Sequence, residues 1–239
     1  MRNRAKAAAS LVALLIVACI TSTPMSARAD ATEDSLGVWN MYFFALRFAD
    51  ESRWGVQGDA QLRLWDFEGD LEQLLLRAGL TYSLAENVIL TLGGANVTTG
   101  ELGASDATVN ESRIYQEALL SQTLGTRVHV RHRFRSEQRW NEDQDFLTRY
   151  RYALFINVPL NSEVVTRGTV YVALYNEVFI NGERDIGEGR SVEFFDRNRL
   201  YGALGYGLTE NTALQLGYML QTTNALQKGQ MQLSVHQTF

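Results

Sequence analysis

Cysteine is almost absent: the 239 residues contain one, Cys19. A disulfide framework and a thiolate zinc site are therefore excluded. Proline is nearly as scarce, at two residues, and charged residues make up a moderate 21%. Both argue against a disordered chain. Lysine is scarce too. Lys6 and Lys228 are the only lysines among 22 basic residues, so arginine carries nearly all the positive charge. After residue 20 no stretch reaches the ~18 consecutive apolar residues that mark a membrane helix. These absences leave one membrane architecture open, a β-barrel, whose apolar residues are spread by alternation rather than in runs.

The first segment has the form of an export signal. Arg2, Arg4 and Lys6 precede the apolar stretch Ala7–Ile20, which is shorter than the ~20 residues a spanning helix needs. Ala27-Arg28-Ala29 supplies the small-x-small pattern of a signal-peptidase site. Residues 1–29 are thus expected to be a cleaved signal peptide, with 30–37 a short lead and 38–239 the folded domain. Cleavage removes Arg2, Arg4, Lys6 and Arg28, so the mature chain is more acidic than the full chain's net −5. Ile16-Val17-Ala18-Cys19 offers a rival cut that would make Cys19 a lipidated N-terminus. Both cuts send the protein out of the cytoplasm, and the outer membrane of a Gram-negative bacterium is the expected destination.

Beyond residue 37 period two dominates. Trp54, Val56, Ala60, Leu62 and Leu64 share one face, and Gln57, Asp59, Gln61 and Arg63 the other. Leu74, Leu76, Ala78 and Leu80 oppose Gln73, Arg77 and Thr81. Val128, Val130 and Phe134 oppose Arg127, His129, Arg131, Arg133, Arg135 and Glu137. Leu214, Leu216 and Tyr218 oppose Gln215, and Met231, Leu233 and Val235 oppose Gln232, Ser234 and His236. Further strands fit 38–48, 88–97, 112–123, 147–158, 164–179 and 197–208. Strands of ~10 residues match tilted membrane strands. The expected fold is all-β: a membrane-spanning, antiparallel up-and-down barrel of ten to twelve strands. Eleven strands can be counted, yet single-chain bacterial barrels have even numbers. Either a strand near 181–196 goes uncounted or 38–48 packs elsewhere. Short connections (85–87, 124–125, 161–163, 209–211) alternate with longer polar ones (98–111, 139–146, 181–196, 222–229), as periplasmic turns alternate with extracellular loops. Phe239, a terminal aromatic on an alternating strand, resembles the signal by which barrels are handed to the assembly machinery. Gln237 stands two places earlier, where an apolar residue is usual. Aromatics near strand ends (Trp39, Tyr42, Phe43, Phe44, Phe48, Trp54, Trp65, Trp140, Tyr150, Tyr152, Phe179 and Tyr206) suit interfacial girdles.

If the apolar faces meet lipid, the opposite faces line a lumen rich in arginine. The expected lumen network comprises Arg113, Glu117, Arg131, Arg133, Arg135, Glu137, Arg149, Arg151, Glu177, Arg197 and Arg199, with Arg63, Arg77, Arg127 and Asp59 on the same faces. Such charges need partners at low dielectric, and the planar guanidinium fork suits carboxylates. Glu117 and Glu177 are the expected partners of Arg131, Arg133 and Arg135. The leading expectation is a largely plugged lumen with a structural or interaction role. Another is a narrow anion-selective channel for small acidic solutes, since fixed positive charge admits anions. A lipid hydrolase is a weaker alternative. Ser234 and His236 share an inward face near the periplasmic end, away from lipid. His132 points outward, but Ser136 lies four residues away, ~13 Å along a strand and beyond hydrogen-bond reach. No catalytic, cofactor-binding or metal residues are assigned, and no enzyme activity is expected. The expected partners are outer-membrane lipid, the barrel assembly machinery and a small anionic solute. With the basic residues inside, nucleic acid is not one.

The string RHRFRSEQRW (131–140) is followed by RYRYALFINVPLN (149–161), YNEVFIN (175–181) and DRNRLYGALGYGL (196–208). This order resembles the family known as domain of unknown function 2490, exported bacterial proteins regarded as outer-membrane barrels. The resemblance runs from about Trp39 to Phe239. Arg131, Arg133, Glu137 and Arg139 carry its most specific part, and Glu177 with Asn181 and Asn198-Arg199 match the later motifs. It implies a barrel and carries no catalytic residues with it.

Overall fold

The computed structural model describes residues 36–239 apart from 68, 104 and 143. The expected signal peptide, its cleavage site and Cys19 lie outside the described residues. Period-two alternation becomes eleven strands: β1 (Gly37–Arg47), β2 (Trp54–Leu64), β3 (Leu71–Ala85), β4 (Val88–Gly100), β5 (Thr108–Leu124), β6 (Val128–Asn141), β7 (Gln144–Pro159), β8 (Val170–Asn181), β9 (Phe195–Thr209), β10 (Thr212–Thr222) and β11 (Gln227–Thr238). They close into one barrel in which each strand pairs with its sequence neighbours.

The odd count is resolved at the closure. β1 and β11 pair in parallel, from Gly37↔Gln230 to Ala45↔Thr238, while every other pair is antiparallel. The expectation of a wholly antiparallel barrel is corrected here: 38–48 is a wall strand, and 181–196 holds no twelfth strand. Within 182–194 the pairing is a single bridge, Asp185↔Ser191. Closure in parallel leaves neither β1 nor β11 with a free edge, which is what closing a barrel accomplishes for all its strands.

The connections depart from strict short–long alternation. At the rim that carries Phe239, β7 and β8 are joined by 160–169, whereas only 142–143 separate β6 and β7 at the far rim. The expected strand 164–179 begins at Val170 because a turn intervenes. Gly168 takes φ +80°, a left-handed conformation suited to glycine. Thr169 N–H donates to Thr166 O at 3.1 Å, and Gly168 N–H donates to Gly207 O at 2.8 Å, pinning the connection to β9. At the far rim β6 and β7 stay paired as far as Asn141↔Gln144, which consumes the expected 139–146 loop.

The two faces sort as the alternation demands. Leu76, Leu92, Leu200, Leu204, Leu216 and Leu233 lie on the outer face and are exposed, several by more than half. Leu62, Leu76 and Leu216 share no common core. Trp54, Trp140, Tyr150, Tyr152 and Tyr206 also stand exposed on the outside. Trp39, Phe43 and Phe179, expected in the girdles, point inward instead and line the lumen. Gln237 falls on the outer face, and Tyr42 covers it, donating its hydroxyl hydrogen to Gln237 Oε1 at 2.8 Å. Gln237 is 6% exposed as a result. Two lumen tyrosines lie across glycines on the paired strand. A Cβ on Gly93 would stand 2.4 Å from Tyr115 Cζ, and one on Gly205 would stand 2.1 Å from Tyr171 Cζ. Those positions must be glycine for the rings to lie flat against the wall.

Candidate functional site

The lumen is the candidate site. Strands β5 to β9 present arginines and carboxylates from their odd-numbered positions, because alternate side chains share a face. Arg113↔Arg139 and Arg135↔Arg151 are direct cross-strand neighbours. Like charges placed opposite each other repel. Carboxylates set one step away along the strands offset this. Glu111 bonds Arg113 and accepts from Arg139 Nε and Nη2 at 2.8 and 2.7 Å. Glu137 accepts from Arg149 Nη2 at 2.7 Å and Arg151 Nη1 at 2.6 Å. Glu177 lies 2.7 Å from Arg133 Nη2 and 2.6 Å from Arg151 Nη2. Glu117 bonds Arg135, stands 3.8 Å from Arg133 Nε and accepts from Gln57 Nε2 at 2.9 Å. Asp59 holds Arg77 at 2.6 Å. A ladder thus runs along the wall, with most carboxylates shared between two arginines.

Two β-bulges contribute acids that parity would place outside. The β2·β3 register shifts between Arg63 and Leu64, and Glu72 turns inward to accept from Trp39 Nε1 at 2.7 Å. The β8·β9 register shifts between Phe179 and Ile180, and Asp196 turns inward to Arg149 (3.2 Å) and Arg197 (3.0 Å). An extra residue in one strand re-aims a side chain, as bulges do elsewhere.

The remaining wall is mainly uncharged. Trp39 and Met41 of β1, Tyr171 and Ala173 of β8, Tyr201 and Ala203 of β9, and Ala213 and Met219 of β10 form one buried cluster, joined by Phe43, Val165 and Tyr175. Val165 reaches it from the 160–169 connection. Between the two walls lies a cavity of about 750 Å³. Its lining extends from Thr99, Asn141 and Arg190 near the far rim to Ala45, Asn157 and Thr238 near the C-terminal rim.

The structure brings together most of the expected network. Arg113, Glu117, Arg133, Arg135, Glu137, Arg149, Arg151, Glu177 and Arg197 all take part in ion pairs. Arg131 does not pair with Glu117 or Glu177. It stands exposed in the cavity wall with its guanidinium carbon 5.7 Å from the Phe155 ring. Arg199 is held by an amide and two rings rather than by a carboxylate. Arg127 sits exposed in the 125–127 turn, outside the lumen. Glu111, Glu72 and Asp196 were not expected in the network. Glu111 was legible, since it shares parity with Arg113 and Glu117, but a strand starting at 112 cuts it off. The two bulged acids carry no such signal.

Ser234 Oγ and His236 Nε2 lie 2.9 Å apart in the lumen, and His236 stacks on Phe43 at 4.8 Å. Among the described residues no carboxylate bonds that histidine. His132 contacts Gln122 and Tyr152 on the outer face, not Ser136. Among the described residues no cluster of three or more His, Cys, Asp or Glu could hold a metal ion.

Residues 36–232 match the model of a family described as "Protein of unknown function (DUF2490)". The chain belongs to that family. No curated protein and no solved structure matches it.

Proposed function

We propose that this member of the DUF2490 family is an outer-membrane β-barrel that admits small anionic solutes to an arginine-walled lumen. The observation that carries the reading is the cavity of about 750 Å³, lined from both rims and by more arginines than carboxylates. Fixed positive charge in a narrow passage attracts anions and repels cations. The ladder keeps those guanidiniums in place, because each shared carboxylate ties two strands or more.

The membrane setting is supported by the leucines exposed across the outer face, since a broad exposed apolar surface marks a membrane or partner contact. The expected signal at 1–29 and the terminal Phe239 suit export and delivery to the barrel assembly machinery. Phe239 N–H donates to Ala45 O at 2.9 Å, which ties that terminus to β1 across the parallel seam. This reading involves no catalysis and no cofactor.

A second reading, a sealed barrel with a structural or interaction role, is favoured by the inward-folded connections. Val165 enters the lumen at one rim, and Arg190 lines it at the other, beside the buried Ile186. Planar-bilayer recording on refolded mature protein separates the two. Steady anion-selective current is the outcome expected for the passage. Silence would leave the sealed barrel.

A further inference from the structure

Besides the exposed Arg131, two buried lumen arginines stand apart from the ladder. Arg63 and Arg199 are 6% and 7% exposed, and among the described residues neither has a carboxylate within ion-pair distance. Neutral amides hold them. Arg63 donates to Gln61 Oε1 (2.7 and 3.1 Å) and to Gln73 Oε1 (2.6 Å). Arg199 Nε donates to Gln221 Oε1 at 2.8 Å. Both guanidiniums lie over Trp39, with their carbons 3.9 and 4.8 Å from the ring centroid.

The nearby acids are turned elsewhere. Glu177 is the direct register partner of Arg199, yet Arg133 and Arg151 occupy its carboxylate. Glu72 accepts from the Trp39 indole and from Gln230. Asp59 bonds Arg77 and Gln61. A buried cation without a counter-charge is costly. Arg63 and Arg199 both face the cavity, and an anion drawn from solution would supply that charge.

The surroundings define what kind of anion. Trp39, Met41, Tyr175 and Tyr201 line the same cavity and belong to or border the uncharged cluster. The Tyr201 hydroxyl is buried near Ser234 and, among the described residues, makes no well-formed hydrogen bond. We propose that this part of the lumen binds a small organic carboxylate with an aromatic body. Its head lies on Arg199 and Arg63, and its ring lies along Trp39, Met41 and Tyr201, with the Tyr201 hydroxyl as a further donor. Guanidinium forks bind carboxylates in paired hydrogen bonds, and the cavity falls within the usual range for small-molecule sites. The proposal deepens the anion reading and rests on it for the route of entry alone.

Benzoate titrated into the full mature chain in non-ionic detergent tests the site. Tryptophan fluorescence and calorimetry provide the readout. Saturable binding in the millimolar range or tighter is expected, with benzyl alcohol giving none. Arg199→Gln is expected to weaken it about tenfold or more, the loss of a charged hydrogen-bonding partner. Should that variant fail to fold, Gln221→Glu keeps the shape and gives Arg199 an internal carboxylate, and it too should weaken benzoate about tenfold. Arg127→Gln, in an exposed turn, should bind as the parent does. Absence of saturable benzoate binding, or unchanged affinity in Gln221→Glu, overturns the site. Bilayer recording keeps the two readings separate. Chloride current without benzoate binding removes the site and keeps the passage. Benzoate binding without current keeps the site and removes the passage.

Discussion

The two walls of the lumen are built on opposite principles. From β5 to β9 the wall is a lattice of arginines and carboxylates, each acid placed beside the like-charged pairs it must offset. From β10 through β11 to β1 it is mainly aromatic, aliphatic or amide, with Trp39, Met41, Met219, Gln230 and Gln232 all buried and Lys228 held against Trp65 at the far rim. The parallel seam between β1 and β11 lies in this second wall. The charged wall is sensitive to register, because a slip of one residue would send every arginine to the outer face. The uncharged wall depends on shape, and Gly217 of β10 is an instance: a Cβ there would stand 2.8 Å from Tyr201 Cε2. A barrel with an odd strand must join two strands running the same way. Here that join lies where no ion pair has to be matched across it.

Substitutions that strike one wall and not the other sharpen this contrast. The largest effect is expected for Glu177→Ala, which leaves Arg133 and Arg151 buried without their shared acid. Removing one partner of a buried pair costs ~3–5 kcal/mol. Urea unfolding followed by heat-modifiable gel migration should show a lowered midpoint, and an unchanged one would refute the pairing. Next is the outer face. Leu216→Arg is expected to cost ~2–4 kcal/mol on folding into lipid vesicles if it meets the bilayer near its midplane. Equal stability of parent and variant in vesicles would speak against lipid on that face. The smallest effect belongs to Arg131→Gln. Among the described residues Arg131 has no carboxylate partner, so stability should change by no more than ~0.5 kcal/mol. Anion selectivity in bilayer recordings should nonetheless fall. A loss of stability as large as that of Glu177→Ala would mean that Arg131 belongs to the ladder.

Much of this could be read in the sequence, and the limits have physical causes. The pairing of Arg135 with Glu117 was legible because both strands alternate without interruption and the two residues are direct neighbours. Asp196 and Glu72 were not legible, since a bulge inverts parity and nothing in the local pattern marks one. The parallel closure was equally hidden. Alternation tells which face of 38–48 is apolar but not which strand it pairs with. The girdle assignment of Trp39 failed for a related reason: a tryptophan near a strand end suits an interface and a lumen alike, and only its odd-numbered face decides. Arg199 looked like one more ladder member. Its register partner, Glu177, is there, and only the competition from Arg133 and Arg151 frees it.

The most direct test compares neighbouring residues of β10. Residues 30–239 contain no cysteine, so single cysteines at Gln215 and Leu216 in protein produced from residue 30 onward can carry a fluorophore without background. Leu216 stands exposed on the outer face, and Gln215 donates inward to Tyr171 Oη at 3.1 Å. In lipid vesicles the probe at 216 should be quenched by brominated acyl chains and spared by aqueous iodide, and the probe at 215 should show the reverse. Equal quenching of both by iodide, with no response to brominated lipid, would contradict a barrel that turns its leucines to the membrane and its arginines to a watery lumen.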